Sequence, residues 1–159
     1  GGLFYFTMGL FVEDLLNFGN LMDAEIEIKL TEDVLKKAYP NLTFELGDGL
    51  LRIYVERRWL IFKKRHELRL SEDTRNVRSN RDEGRRYIFM KALVKDIPED
   101  MLKGEEFLKD GEYLGMDVWP CVKLTEVYDK IPRQFKERLT ITRYKVKKDG
   151  LSVFLRVEK

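Results

Sequence analysis

Between residues 57 and 86 the chain carries eleven cationic side chains against five acids, a local net charge of +6 in a protein whose total is only +2. At this density arginine and lysine do one kind of chemistry. They neutralise phosphates and release condensed counterions, and arginine grips phosphate oxygens through paired N–H donors. Aromatic rings stand among them, and flat rings stack on unpaired bases at roughly 1–3 kcal/mol each. Cations interleaved with rings predict binding of single-stranded or structured nucleic acid, RNA over duplex DNA, since no recognition-helix signature is present. The candidate contacts are Arg57, Arg58, Trp59, Lys63, Arg65 and Arg69 on one segment, Arg75, Arg78 and Arg81 on a polar loop, and Arg85, Arg86, Tyr87 and Phe89 beyond it. A competing reading neutralises the same cations internally. Residues 1–56 have a net charge of −6, and Glu25, Glu27 and Glu45 are placed to face Lys63, Arg65 and Arg69 across a sheet.

A second chemistry attaches to the stretch VEDLLNFGNLMDAEIEIKL. Glu27 and Lys29 stand two apart on one strand face, with Asp14 or Asp23 upstream. Over about 16 residues this resembles the acid–acid–lysine constellation of restriction-type metal nucleases. The resemblance implies that Asp14 (or Asp23) and Glu27 ligate Mg²⁺ while Lys29 orients the attacking water. Other catalytic signals are missing. His66 is the only histidine and falls on the apolar parity of its strand, which predicts a hydrogen-bonded, partly buried ring. Cys121, the only cysteine, sits in DVWPCVKL and reads as a buried small hydrophobe, and it excludes an internal disulfide. No P-loop, dinucleotide fingerprint or G-x-S-x-G is present, so no cofactor and no histidine- or cysteine-based metal site is expected.

These side chains have to be positioned by a folded chain, and the composition supplies one. Apolar residues make up 43% and charged residues 36%, the latter well above the roughly 25% usual in soluble domains. With one glutamine, one cysteine and one histidine, this is the skew of an ion-pair-rich, heat-adapted surface, which points to a thermophilic, archaeal, cytoplasmic protein. Its 159 residues fit a single α+β domain.

Periodicity predicts a short helix over residues 10–18, a strand from Ala24 to Leu30, and a helix capped by Thr31 and stopped by Pro40. Asp48-Gly49 and Asp149-Gly150 each join two alternating runs and predict hairpins with positive φ at both central residues. Strands are expected over 58–70 and 86–95, separated by a basic loop at 71–84. Helices are expected after Pro98, closed by Gly111, and after Thr125. The sum is a mainly antiparallel sheet with two to four short helices. Residues 1–7 read either as an extension ahead of Met8 or as native chain. In the second case the apolar segment 3–18 predicts a homo-oligomer contact, since Glu13 and Asp14 interrupt it before it could span a membrane.

Overall fold

The computed structural model describes residues 24–80, 83–94 and 96–158, apart from the side chains of residues 57–59 and 80. The expected helix over 10–18, the contact segment 3–18, Asp14, Asp23 and Arg81 lie outside the described residues. What is described is sheet-rich α+β, mostly antiparallel, with five short helices rather than two to four.

Strand β1 (Ile26–Leu30) buries Ile26, Ile28 and Leu30. Thr31 then caps α1 (Glu32–Ala38), its Oγ1 accepting from the Val34 N–H at 3.3 Å, with Glu32 and Asp33 in the first turn where the helix dipole favours acids. Strands β2 (Leu42–Gly47) and β3 (Leu50–Trp59) form the first hairpin. Gly49 alone takes a positive φ there, 75°, and Asp48 does not, so one left-handed residue closes this turn.

The next three elements depart from expectation. Residues 58–70 are not one strand: the chain turns at Leu60-Ile61 and returns as β4 (Phe62–Ser71), paired with β3 along its whole length. No Gly, Asn, Asp or Pro marks that turn, which is why alternation read straight through it. The basic loop contains β5 (Val77–Asn80), which pairs with β6 (Arg85–Ala92). Pro98 opens only one helical turn, α2 (Glu99–Leu102), and Gly111 closes no helix. With φ of 59° it turns β7 (Phe107–Asp110) into β8 (Tyr113–Asp117), because Phe107 buries against the sheet opposite Met116.

Three single-turn helices follow, α3 (Trp119–Val122), α4 (Glu126–Lys130) and α5 (Arg133–Lys136); Thr125 caps α4 as expected. The last hairpin joins β9 (Leu139–Lys147) to β10 (Gly150–Val157). Its turn is Lys148-Asp149, one residue earlier than expected, and no residue in it has a positive φ. Gly150 is required for another reason: a Cβ there would lie 2.4 Å from Lys29 Cγ on the adjacent β1.

Strands β1-β10-β9 make a three-stranded sheet, and β2-β3-β4-β6-β8-β7, with β5 on β6, make a seven-stranded one. One apolar core draws on both. Tyr144 on β9 fastens them together. Its hydroxyl donates to Phe89 O at 2.6 Å and accepts from Asp73 N at 2.7 Å, and its own N–H donates to Thr74 O at 2.9 Å. Asp117 does the same within the larger sheet, its Oδ1 accepting from Arg86 N at 3.1 Å and Trp119 N at 3.0 Å. Among the described residues no helix is long and apolar enough to cross a membrane.

Replacing Tyr144 by Phe keeps the ring but removes the hydroxyl from the buried Phe89 carbonyl and from the Asp73 N–H. The expected loss is about 2 kcal/mol in urea unfolding, and an unchanged midpoint would mean the hydroxyl does not couple the sheets. Asp117 offers a pH test. Burial raises its carboxyl above the ordinary value, although the two N–H donors pull the other way. The folded state therefore holds this proton more tightly than the unfolded state. The ionised group costs stability above the raised pKa, and that cost fades as pH falls through it. Asp117→Asn, which keeps the acceptor, should hold its stability at neutral pH and flatten the acid-side dependence. Asp117→Ala should lose about 2 kcal/mol at neutral pH.

Candidate functional site

The β3–β4 hairpin outgrows the sheet that anchors it. On one side β2 ends with Leu42 opposite Val55. On the other, β6 pairs with β4 only at Leu70↔Ala92 and Ser71↔Lys91, and the last backbone bond runs from Leu93 N to Arg69 O at 2.8 Å. His66 marks the limit, its Nε2 donating to Asp96 O at 2.8 Å, in keeping with the hydrogen-bonded, partly buried ring expected for it. Residues 56–65 therefore project as a two-stranded ribbon, about 17 Å long at roughly 3.4 Å per residue.

Those ten residues carry five cations and one acid. The register sets Glu56 opposite Arg65, Arg57 opposite Lys64, Arg58 opposite Lys63 and Trp59 opposite Phe62. Two cross-strand positions thus hold like charges, an arrangement that destabilises a hairpin in isolation. The side chains of Arg57, Arg58 and Trp59 lie outside the described residues. Lys63, Lys64 and Arg65 are exposed, and the Arg65 guanidinium lies 4.0 Å over the Tyr54 ring. Nearer the sheet, exposed Arg69 sits opposite Arg52, which is itself held by Glu45 at 2.8 Å and Glu67 at 3.4 Å. Among the described residues no carboxylate lies within ion-pair distance of Lys63, Lys64, Arg65 or Arg69.

Internal neutralisation by the acids of the first third does not occur in the expected way. Glu25 is taken by Arg143 at 2.9 Å, Glu27 accepts from Ser152 Oγ at 2.6 Å, and Glu45 holds Arg52. Burial pushes the Glu25 carboxyl up, but the hydrogen bond and charge of Arg143 outweigh it and leave the group below the usual carboxylate range.

The remaining candidates go elsewhere. The edge of β6 next to β4 runs on from Ala92 towards Arg85, away from the ribbon, so the Arg85 end stands about fifteen strand residues from Phe62, at most on the order of 50 Å. At that end Tyr87 and Phe89 are 4% and 1% exposed, and Arg86 is buried against Trp119 with its guanidinium 4.2 Å from the ring. Tyr87 and Phe89 lie on the face of β6 opposite the core residues Ile88 and Met90, where they are covered by each other and by Arg78, and Tyr87 OH donates to Glu105 O at 2.6 Å. Arg78 lies on the Phe89 ring at 4.5 Å and pairs with Asp110 at 3.1 Å; Arg85 pairs with Glu105 at 2.5 Å. Arg75 is exposed, but it stands apart from the ribbon cations. A cleft of about 520 Å³ opens beside Arg86, Trp119, Lys123, Tyr128 and Lys136, where cation and ring are already stacked on each other, Lys136 Nζ lying 4.6 Å over Tyr128. The single cation–ring platform expected from the sequence is thus divided between two ends of the molecule.

Of the nuclease constellation only Glu27 and Lys29 lie among the described residues. Lys29 is bound to Asp149 at 2.7 Å and Glu27 to Ser152, and no three metal-ligating side chains of the described residues converge. Cys121 is fully buried, and burial pushes its thiol up to about 12.

Sequence reading missed the ribbon's tip. Leu60, Ile61 and Phe62 are 80%, 90% and 62% exposed, and Leu60 holds a positive φ of 57°, the only non-glycine to do so among the described residues. The available signal was symmetry: RRWLIFKK reads as two cation pairs mirrored about Leu60-Ile61.

The chain matches no protein-family model, no curated protein and no solved structure.

Left-handed backbone costs a leucine roughly 1–2 kcal/mol that glycine does not incur. Leu60→Gly should accordingly raise stability by about 1 kcal/mol in urea unfolding, and a loss would mean the leucine side chain packs onto the fold. Cys121 should resist iodoacetamide at neutral pH in native protein and react only on unfolding.

Proposed function

We propose that this protein is a nucleic-acid-binding module that engages RNA through the projecting β3–β4 ribbon. The observation that carries this reading is the ribbon's uncompensated charge. Five cations against one acid stand on a hairpin with no neighbouring strand among the described residues, and the described cations have no carboxylate partner there. Like charges set opposite each other in the register make the free ribbon electrostatically costly, and a polyanion relieves that cost by lying along it. A two-stranded ribbon is also a recognised width for a nucleic-acid groove. The longest described helix has seven residues, so helix insertion is a poor alternative among the described elements. Irregular or unpaired RNA suits the ribbon best, since its backbone and bases are open to a narrow probe.

The test is binding to single-stranded and hairpin RNA, by fluorescence anisotropy across a salt series. Lys63→Ala/Lys64→Ala/Arg65→Ala should reduce the slope of log K against log salt by roughly two, at about 0.7–0.9 for each phosphate no longer neutralised. Arg78→Ala, whose guanidinium is already bound to Asp110, should leave the slope unchanged. Equal slopes for the triple variant and the parent protein would overturn the proposal.

A further inference from the structure

The ribbon's tip does nothing to neutralise phosphate, yet it departs from ordinary hairpin chemistry in two ways at once. Three consecutive large apolar residues, Leu60, Ile61 and Phe62, face solvent, and the first holds a left-handed conformation. A turn that only had to join two strands would carry Asn-Gly there, soluble and unstrained. Strain and exposure retained at one spot point to a role for the side chains themselves.

We propose that Leu60, Ile61 and Phe62 form a wedge that enters a nucleic-acid base stack while Lys63, Lys64 and Arg65 hold the flanking phosphates, and that the favoured ligand is RNA with a bulge or similarly weakened step. This rests on the nucleic-acid reading above and adds the kind of RNA it selects. Charge complementarity names the occupant: the tip is bracketed by cations on both strands, so whatever polyanion they hold is the surface to which the tip is delivered. Alternation along β4 sends Lys63 and Arg65 to one face and Lys64 to the other, so phosphates on either side of an opened step can be met. The side-chain types separate a wedge from a stacking platform. Leucine and isoleucine have no flat face and gain little on a base already exposed. They gain when they replace a neighbouring base in a step that has been pried apart, and the Phe62 ring then stacks on the base beside it. Prying costs stacking, and it costs least where the stack is already interrupted. The ribbon's length carries the wedge clear of the sheet, so the body of the protein does not collide with the backbone on either side.

The experiment compares short RNA duplexes that are fully paired or carry one bulged nucleotide, with the fluorescent base aminopurine next to the bulge. The parent protein should bind the bulged duplex roughly tenfold more tightly and raise the aminopurine signal as the base unstacks. Ile61→Ser/Phe62→Ser changes only solvent-facing residues. It should keep the salt slope and lose both the preference and the signal, and Leu60→Gly should weaken both while improving the turn. Salt-dependent binding by the parent with no preference and no signal would overturn the wedge and leave the ribbon reading standing. Absence of binding to any RNA would overturn both. Tip-dependent sedimentation with phosphatidylserine vesicles, or a tip-dependent dimer on size exclusion, in place of the aminopurine response would reassign the apolar tip to a lipid surface or to a second copy of the chain.

Discussion

Strand β4 pairs with β3 over ten residues and with β6 over only two. That mismatch sets the β3–β4 hairpin apart from the rest of the described sheet. A strand inside a sheet has its backbone groups satisfied on both edges and its side chains covered on at least one face. Once β2 and β6 stop, residues 56–65 pair, among the described residues, only with each other. Cross-strand hydrogen bonds hold the ribbon together, while Lys63, Lys64, Arg65 and the apolar tip at Leu60–Phe62 face solvent. Had β6 continued along β4, the cations on the core-facing parity would need buried partners, and the apolar tip would be ordinary core.

The base of the ribbon is tied down by a few polar contacts between the two sheets. Tyr144 spans from β9 to β6 and to the chain after β4, and the Gly49 N–H reaches Val146 O from the turn below β3. Both ends of the β3–β4 hairpin nearest the core are therefore tied to the smaller sheet. At the far end of β6, Asp117 gathers the backbone of Arg86 and Trp119, and the cations there are already engaged by rings and carboxylates. The same residue types thus serve opposite ends of the molecule differently. Arg78, Arg85 and Arg86 are engaged by carboxylates or a buried ring, whereas Lys63, Lys64 and Arg65 are exposed without a carboxylate partner among the described residues, Arg65 lying over the Tyr54 ring.

Much of the fold was legible where a single local rule decides. The alternation of Ile26, Ile28 and Leu30, the Thr31 and Thr125 caps, and the Asp48-Gly49 turn all follow from residue type at fixed spacing. Misreadings came where a tertiary demand replaced the local one. Gly111 looked like a helix stop but turns a hairpin, since Phe107 gains more by burial in the sheet than by continuing a helix. Gly150 looked like a turn residue but makes room for Lys29. The turn at Leu60-Ile61 was invisible because it uses none of the residues that turns prefer. That same choice makes it informative, since a sequence does not keep leucine in a left-handed conformation for the turn's sake.

By itself the sequence determined that this chain folds as a charged, sheet-rich α+β protein and that its positive charge is concentrated in the middle third, because composition, alternation and capping act over a few residues. Only the tertiary structure decided which of those charges remain available. Ion pairing and ring burial depend on residues far apart in the chain: Asp110 for Arg78, Glu105 for Arg85, Trp119 for Arg86. No local pattern records that β6 ends two residues after it meets β4, and the lone ribbon exists because it does.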